Sequence, residues 1–256
     1  MKIVILLEKY GDHCNRLFQS LHYHAYCIEN DYVFINLTLL NLLRFDNKVI
    51  SILDKIINLF LTTVYKLFFK NIFSNRLLKS NKRFIEFVGG WDFRENSLTI
   101  KHYQKLKSHY LFKKKYFSTY INNLIFFLKN LKSNNNYIVG VHIRRGDYKY
   151  WMDGDYFFKD DLYNSIISEL RYSLIKENKK PFFIAVSDQE INNDLLCEKK
   201  VSGNWIEDQI VLQNCDLLLG PPSTFTMWAS YISRIPIIKI NKKGEFNIKK
   251  RIICDG

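Results

Sequence analysis

The chain is poor in cysteine and proline and has no long uncharged hydrophobic run. It has five cysteines and four prolines among 256 residues. The odd number of well-separated cysteines, with no C-x-x-C pair, argues against a disulfide framework or a zinc site. No uncharged stretch reaches the roughly 18 residues of a membrane-spanning helix, and the start, MKIVILLEKYGDHC, has too short an apolar run for a secretory signal. These absences predict a protein of the reducing cytoplasm.

Negative charge is in short supply, and the formal net charge is +13. This excess suggests an anionic partner: nucleic acid, a phosphorylated small molecule or a membrane surface. Genomic composition bias would also scatter lysines among Asn, Ile, Phe and Tyr in this way. Segment 50–73 has the apolar and basic residues of an amphipathic helix. Packing on the protein's own core is favoured there, and peripheral contact with the inner face of a membrane is the alternative.

Hydrophobic periodicity predicts an α/β protein. A strand, a helix and a strand occupy 2–37, and 41–130 is expected to be largely helical. Further on, buried strands alternate with helices, in the order YIVGVHI, helix 160–177, FFIAVS, helix 207–214, DLLLG, a helix from 224, and PIIKI. That rhythm predicts a parallel sheet flanked by helices. The Asn-rich stretch at 132–136 is the only boundary signal, so we predict domains 1–135 and 136–256.

The segment GVHIRRGDYKYW follows one of these strands. Side chains alternate faces along a strand, so His142 and Arg144 share a face and act together. Ligands of open α/β sheets collect beyond the carboxyl ends of strands, where this one continues into Arg145, Gly146 and Asp147. Arg144 there can hold a phosphate through two parallel hydrogen bonds, and Arg145 is expected to bind the substrate beside it. The alternative is that Arg144 or Arg145 simply pairs with Asp147.

A second strand end lies in CDLLLGPPSTFTMWASYIS. Pro221 and Pro222 force a turn, and Ser223 or Thr224 can cap the next helix. The first N–H groups of such a helix bind phosphate readily. An ordinary capping segment is the alternative. A capped helix and an arginine-ended strand at one sheet edge nevertheless favour a shared diphosphate site.

Near the amino end, Asn15 and Arg16 open the first helix within GDHCNRLFQ. We expect them to face across a cleft toward the second half of the chain. His13, His22 and His24 lie close in sequence, but His22 and His24 fall on different faces of a helix. The three histidines therefore do not predict a metal site.

Two short motifs point elsewhere, and both are set aside. Asp153 and Asp155 form a D-x-D sequence of the kind that holds a metal in some sugar transferases, but they follow the arginine strand and are expected in a loop. Arg145, Gly146 and Asp147 spell an adhesion tripeptide. That tripeptide adjoins a buried strand in a chain without an export signal, so adhesion is not expected.

Three motifs in order now resemble a known family. They are NRLFQ at 15–19, VHIRRGDY at 141–148 with a tryptophan and YFF shortly after, and CDLLLGPPSTFTMWASY at 215–231. Together they resemble the inverting GDP-fucose-dependent α-1,2-fucosyltransferases (glycosyltransferase family 11-like) and, more distantly, the protein O-fucosyltransferases. The resemblance implies a GT-B fold, in which a helix-rich acceptor-side half faces a Rossmann-like half that binds GDP-fucose across a cleft.

The resemblance also implies roles for individual residues on the donor side. Arg144 would hold the diphosphate, His142 would line the nucleotide site, and Ser223, Thr224 and Phe225 would contact the phosphates and the fucose region. Departure of GDP builds negative charge on the β-phosphate, and a guanidinium and a helix N-terminus would stabilise that charge in the transition state. No metal or other cofactor is expected.

Other residues take secondary roles under the same resemblance. Asn15 and Arg16 would approach the transferred sugar, and Asp208 and Asp216 are candidates for guanine or ribose contacts. The group that removes the acceptor's proton is left open between Asp147, His13 and the leaving phosphate.

The predicted activity is transfer of fucose to a glycan hydroxyl, of the galactoside α-1,2-fucosyltransferase type. A basic nucleic-acid-binding protein is the first alternative, but it predicts basic residues clustered on one face, whereas the lysines here are dispersed. An inactive relative that binds a nucleotide sugar is the second. The acceptor and the oligomeric state are left open.

Overall fold

The chain divides into two compact units in the computed structural model. One unit contains Met1–Tyr116 with Asp255–Gly256, and the other contains Phe117–Cys254. The structure describes residues 2–39, 84–112, 117–201 and 203–256, with a few isolated positions between 56 and 67. Apart from those positions, the segment 50–73 lies outside the described residues.

The first unit is built on a small parallel sheet. Its elements are β1 (Ile3–Leu6), α1 (His13–Glu29), β2 (Val33–Asn36), β3 (Ile85–Val88), α2 (Asn96–Lys101) and α3 (Tyr103–Tyr110). The strand order is β2-β1-β3, and β1 pairs in parallel with both neighbours. Val4 and Leu6 on β1, Val88 on β3 and Tyr23 on α1 pack into one core. The predicted strand, helix and strand at the start of the chain are therefore present.

Strand β3 was not predicted, because 41–130 was expected to be largely helical. Its inward positions are Glu86 and Val88, both buried. A carboxylate on the inward face breaks the apolar alternation that identifies a strand. Lys2, itself buried, forms an ion pair with Glu86 and makes the burial tolerable. Only this contact, more than 80 residues away in sequence, explains the charge in the core.

The second unit is built on a larger parallel sheet. Its elements are α4 (Thr119–Ser133), β4 (Asn136–Ile143), α5 (Asp160–Lys176), β5 (Lys180–Ser187), β6 (Lys199–Val201), α6 (Trp205–Gln213), β7 (Leu217–Gly220), α7 (Thr224–Ser233) and β8 (Ile237–Lys239). Helix α4 belongs to this unit, because Leu124 and Leu128 pack in one cluster with Ile138 and Leu218. The division thus falls before α4, and the Asn-rich stretch at 132–136 is a tight connection inside the unit.

The strand order of this sheet, β6-β5-β4-β7-β8, determines where a ligand can bind. All four strand pairs are parallel, so every carboxyl end lies at the same edge. The chain moves outward from β4 to β5 and β6, then returns to the other side of β4 with β7. That reversal opens a crevice beyond the ends of β4 and β7, the usual ligand position in such sheets. Short β6, at one edge of this sheet, was not predicted.

Two further findings concern the cysteines and the helices. All five cysteines lie within the described residues, and none takes part in a disulfide. Across the ranges that the structure describes, every helix is too short or too polar to span a bilayer.

Candidate functional site

A cavity of about 270 Å³ opens at the carboxyl edge of the larger sheet. It is bounded by the ends of β4 and β5 and by the first turns of α6 and α7. Its walls are His142, Arg144, Ser187, Asp188, Gln189, Glu190, Gly203, Trp205, Asp208 and Phe225. Four residues predicted for the site therefore share one cavity, together with neighbours that the sequence did not identify.

Arg144 is fixed in the cavity wall by two carboxylates. Its Nη2 lies 2.8 Å from Asp147 Oδ1 and its Nη1 lies 3.3 Å from Asp188 Oδ2. Arg144 thus lies at the predicted strand end. It also forms the ion pair with Asp147 that was the alternative to phosphate binding. The two partners differ, because the Asp147 side chain is 60% exposed and that of Asp188 is 20% exposed. A ligand would displace Asp147 more easily than Asp188.

Asp188 is a site residue that the sequence analysis missed. Its Oδ1 accepts a hydrogen bond from the Arg145 N–H at 2.9 Å, and its Oδ2 accepts one from the Gly146 N–H at 3.0 Å. A Cβ at Gly146 would lie 2.8 Å from Asp188 Oδ2, so a side chain there would push the Asp188 carboxylate aside. Asp188 directly follows β5. The strand-end rule that found Arg144 would have found it too.

Arg145 lies outside the cavity wall. Its Nη2 pairs with Asp160, the first residue of α5. Successive side chains of an extended chain point to opposite faces, so Arg145 and Arg144 diverge. The prediction that Arg145 binds substrate finds no support in this placement, because its guanidinium holds α5 against the sheet edge.

Asp216 lies at the opposite edge of the sheet. It precedes β7, its Oδ2 accepts a hydrogen bond from the Ile138 N–H at 2.8 Å, and its Oδ1 pairs with Lys132 Nζ at 2.8 Å. Because the strands are parallel, residues before β7 and at the start of β4 are remote from the carboxyl ends. The predicted guanine or ribose contact by Asp216 is therefore corrected to a structural role.

His142 is a neutral, buried member of the site. Its Nδ1 lies 2.6 Å from Thr226 Oγ1, and its ring centroid lies 5.0 Å from that of Phe225. Burial, reinforced by the positive charge of Arg144, lowers the pKa of His142 to about 3. The imidazole can therefore offer a hydrogen bond near neutral pH without adding charge. Thr226, which joins this strand to α7, was not predicted.

The start of α7 has the predicted capping geometry. Ser223 is the N-cap, and its Oγ accepts a hydrogen bond from the Phe225 N–H at 3.2 Å. The Tyr148 hydroxyl donates to the Pro222 carbonyl at 2.9 Å, which ties the preceding turn to the loop after β4. Thr224 is half-buried at the first helical position. The amino end of α7 and the end of β4 are thus held together.

Asp208 is a buried carboxyl in the cavity wall, in the first turn of α6. Burial raises the pKa of Asp208 to about 8. The Gly203 N–H opposes this shift, and the negative charges of Glu207 and Asp188 reinforce it. Within the described ranges, no group donates a hydrogen bond to Asp208 Oδ1. A ligand with N–H donors would satisfy this oxygen and favour the ionised form.

The D-x-D sequence lies in a turn, as predicted. Met152 and Asp153 have left-handed backbone conformations within the 3-10 turn Trp151–Gly154. Asp155 Oδ2 lies 2.7 Å from Lys242 Nζ, so this carboxylate already forms an ion pair with a lysine. No group of three or more His, Cys, Asp or Glu side chains among the described residues could hold a metal ion.

The first unit places Asn15 and Arg16 in the first turn of α1, beyond the carboxyl end of β1. Arg16 is buried and Asn15 is half-buried. Gly11 has a φ of +57°, and a Cβ on it would lie 2.3 Å from Asn15 Nδ2. Glycine is therefore favoured in the loop that presents Asn15. The predicted contact of these residues with the transferred sugar stays a prediction.

His22 and His24, further along α1, have different contacts. His22 Nδ1 accepts a hydrogen bond from the Glu95 N–H at 3.0 Å, and burial lowers the pKa of His22 to about 3. His24 stacks on Phe34, and burial lowers its pKa to about 4. Both histidines are accounted for by packing.

Comparison with known proteins identifies the fold. No protein-family model and no curated protein matches the chain. Among solved structures, a variant of FUT1 from Arabidopsis thaliana in complex with GDP has a TM-score of 0.56 at 11% identity, over 94% of this chain and 70% of that chain. The fucosyltransferase NodZ from Bradyrhizobium has a TM-score of 0.56 at 12% identity, over 99% of both chains.

A second NodZ structure, an α-1,6-fucosyltransferase soaked with GDP-fucose, has a TM-score of 0.53 at 12% identity, again over 99% of both chains. Likeness at such low identity concerns the fold alone. The chain has the α/β fold of the GT-B type, and the predicted fold class is confirmed.

Proposed function

We propose that the protein is an inverting glycosyltransferase that moves fucose from GDP-fucose to a hydroxyl of a glycan acceptor, with α-1,2 linkage to a galactoside. One observation carries the proposal: Arg144, at the carboxyl end of β4, shares a cavity with the capped start of α7 at the point where the strand order reverses. The similar structures support the choice of donor, since one is in complex with GDP and another was soaked with GDP-fucose.

The proposed mechanism follows from where charge develops. As the sugar departs, negative charge grows on the β-phosphate of GDP. Arg144 would donate two charge-assisted hydrogen bonds to it, and the positive end of the α7 dipole would lie nearby. His142 is neutral and buried, so it would orient the phosphate through a hydrogen bond without adding a positive charge. Groups fixed before the reaction stabilise such charge without having to reorganise.

Asp208 is the residue that we assign to binding the guanine base. An ionised carboxylate accepts hydrogen bonds from the two adjacent N–H groups on one edge of guanine, which uracil does not offer in this pattern. Asp208 Oδ1 has no donor among the described residues, which suits that role. Preference for GDP over UDP would follow.

Diphosphate binding requires Arg144 to exchange one partner. Its two carboxylates leave the free site with excess negative charge, so a phosphate must replace one of them. The exposed Asp147 is the partner that leaves, because Asp188 is fixed by two backbone N–H groups. Asp147 released in this way is one candidate for the acceptor base, beside His13 and the leaving phosphate.

We also propose that the reaction needs no divalent metal and takes place in the cytoplasm. Arg144 and the α7 N-terminus would neutralise the leaving charge that a metal neutralises in other transferases. The five unbridged cysteines suit a reducing compartment.

The test combines nucleotide binding with turnover. GDP should raise the melting temperature of the purified protein, because it binds only the folded state, and UDP should raise it much less. Incubation with GDP- and UDP-sugars should release nucleotide from GDP-fucose alone, and NMR of the product should place the new bond at O2 of galactose. Equal shifts with both nucleotides, or tight binding only to DNA, would overturn the proposal.

A further inference from the structure

An aromatic stack lies beyond the carboxyl ends of β1 and β3 in the first unit. The rings of Tyr10 and Trp91 are stacked, with centroids 4.8 Å apart and planes 21° from parallel. The Arg94 guanidinium carbon lies 3.6 Å from the Trp91 ring centroid, and Arg94 Nη1 donates to the Phe93 carbonyl at 3.0 Å. Tyr10 is the most exposed of the three, at 43%. A tyrosine ring is thus offered to solvent on a rigid support.

Gln19 holds the two loops that carry this stack. This fully buried residue of α1 accepts a hydrogen bond from the Tyr10 N–H at 3.2 Å, and its Nε2 donates to the Gly90 carbonyl at 2.9 Å. One turn further, the Tyr23 hydroxyl donates to the Gly89 carbonyl at 2.6 Å. The loop after β1 and the loop after β3 are therefore fastened to one face of α1.

Gln19 is the last residue of the NRLFQ motif, for which the mechanism uses only the first two residues. A buried amide that bonds the backbone of two loops is costly to replace, because its loss would remove the hydrogen-bond partner of the Tyr10 N–H and of the Gly90 carbonyl. Gly90 has a φ of +81°, which favours glycine in the second loop. The motif therefore fixes the shape of the edge that carries Tyr10.

The chemistry around the stack favours a neutral sugar. The face of an aromatic ring carries negative charge, which attracts the polarised C–H groups on one face of a pyranose. Asp12 and Asp92 are exposed and lie two and one positions after Tyr10 and Trp91 in the chain, and carboxylates accept hydrogen bonds from sugar hydroxyls.

We infer that the Tyr10 ring, backed by Trp91 and Arg94, is a stacking surface for a pyranose ring of the glycan acceptor, and that Gln19 is its positioning residue. The inference rests on the proposed function, since it names the acceptor's contact. It assigns acceptor recognition to the first unit by an observation independent of the donor cavity.

The test measures sugar binding without any donor. The protein is applied to an array of neutral oligosaccharides that includes β-galactosides, and each glycan bound is titrated by saturation-transfer NMR. Tyr10→Ala should weaken binding roughly 2- to 10-fold, the value of one aromatic stacking contact. Tyr10→Phe should bind like the parent. Tyr172→Ala, which removes an exposed tyrosine of α5, is the matched control and should have no effect.

Gln19→Met tests the positioning role. It should weaken glycan binding at least as much as Tyr10→Ala does, while the GDP-induced rise in melting temperature is kept. Loss of the GDP response as well would indicate general unfolding, in which case Tyr10→Ala decides the question.

The outcomes separate this inference from the proposed function. If GDP-fucose is turned over but Tyr10→Ala binds glycans and uses acceptor like the parent, the stacking surface is wrong and the transferase stands. If glycans bind in a Tyr10-dependent manner but GDP gives no rise in melting temperature, the stacking surface stands and the proposed transferase function is wrong. Failure to bind any neutral glycan, or preferential binding of single-stranded RNA through Tyr10, also overturns the inference.

Discussion

Both sheets are parallel and gather the carboxyl ends of their strands at one edge, but the side chains at the two edges differ in chemistry. Beyond the larger sheet lie ionisable groups: Arg144 between two carboxylates, and the buried carboxyl of Asp208. Beyond the smaller sheet lies the stack of Tyr10 and Trp91, with the Arg94 guanidinium against the Trp91 ring, and its loops are held by neutral hydrogen bonds to Gln19. Parallel strands bring their carboxyl ends together in both, and the loops decide what those ends can bind.

The difference indicates how two substrates of unlike charge can be divided between two units. A diphosphate needs fixed positive charge and N–H donors, which the larger sheet supplies at β4 and α7. A neutral glycan needs a flat apolar face with hydrogen-bond acceptors near it. The comparison therefore predicts that mutations at one edge weaken binding or use of one substrate and leave those of the other unchanged.

The largest expected effect is at Arg144. Arg144→Lys keeps the charge but loses the paired hydrogen bonds, so turnover of GDP-fucose should fall roughly 30- to 1000-fold, equivalent to about 2 to 4 kcal/mol. Glycan binding should be unchanged. The matched control is Arg171→Lys, at an ion pair with Glu198 on the surface of the same unit, which should be nearly silent. An Arg144→Lys protein that folds and turns over normally would remove Arg144 from the mechanism.

A smaller effect is expected at Asp208. Its pKa is raised to about 8 in the free protein, and guanine N–H groups bind the ionised form, so GDP binding releases a proton. GDP affinity should therefore rise with pH between 6 and 8, by at most about tenfold per unit, and level off above 8.

Asp208→Asn should abolish that slope and weaken GDP roughly 10- to 100-fold at pH 8, because hydrogen bonds to a charged group are lost. Calorimetric titration at several pH values provides the measurement. A parent affinity that falls from pH 6 to 8 would show that the protonated carboxyl is the binding form.

The smallest effect is expected at the D-x-D turn. Activity in excess EDTA should be full, and Asp153→Asn and Asp155→Asn should each turn over near the parental rate, because Asp155 contacts Lys242 at the surface. Initial rates with and without Mn²⁺ are sufficient to test this. Loss of activity in EDTA with recovery on adding Mn²⁺ would assign charge neutralisation to a metal and weaken the contrast between the two edges.

Local patterns were enough to predict much of the larger unit. Alternation along β4 placed His142 and Arg144 on one face, and the PPST sequence predicted the cap that Ser223 provides. Asp188 could have been predicted by the same strand-end rule. Arg145 was assigned to the substrate because sequence position alone does not reveal its partner Asp160.

The sequence by itself determined the alternating strands and helices, the arginine at the end of β4 and the helix cap, because each depends on neighbours within a few residues. Tertiary structure decided the rest. Asp216 lies at the wrong edge for a ligand because β7 runs parallel to β4, and β3 carries a buried Glu86 because Lys2 reaches it. Gln19 holds the loop after β3 by bonding Gly90, 71 residues further along the chain. A side chain whose role depends on a distant partner shows that role only after the chain has folded.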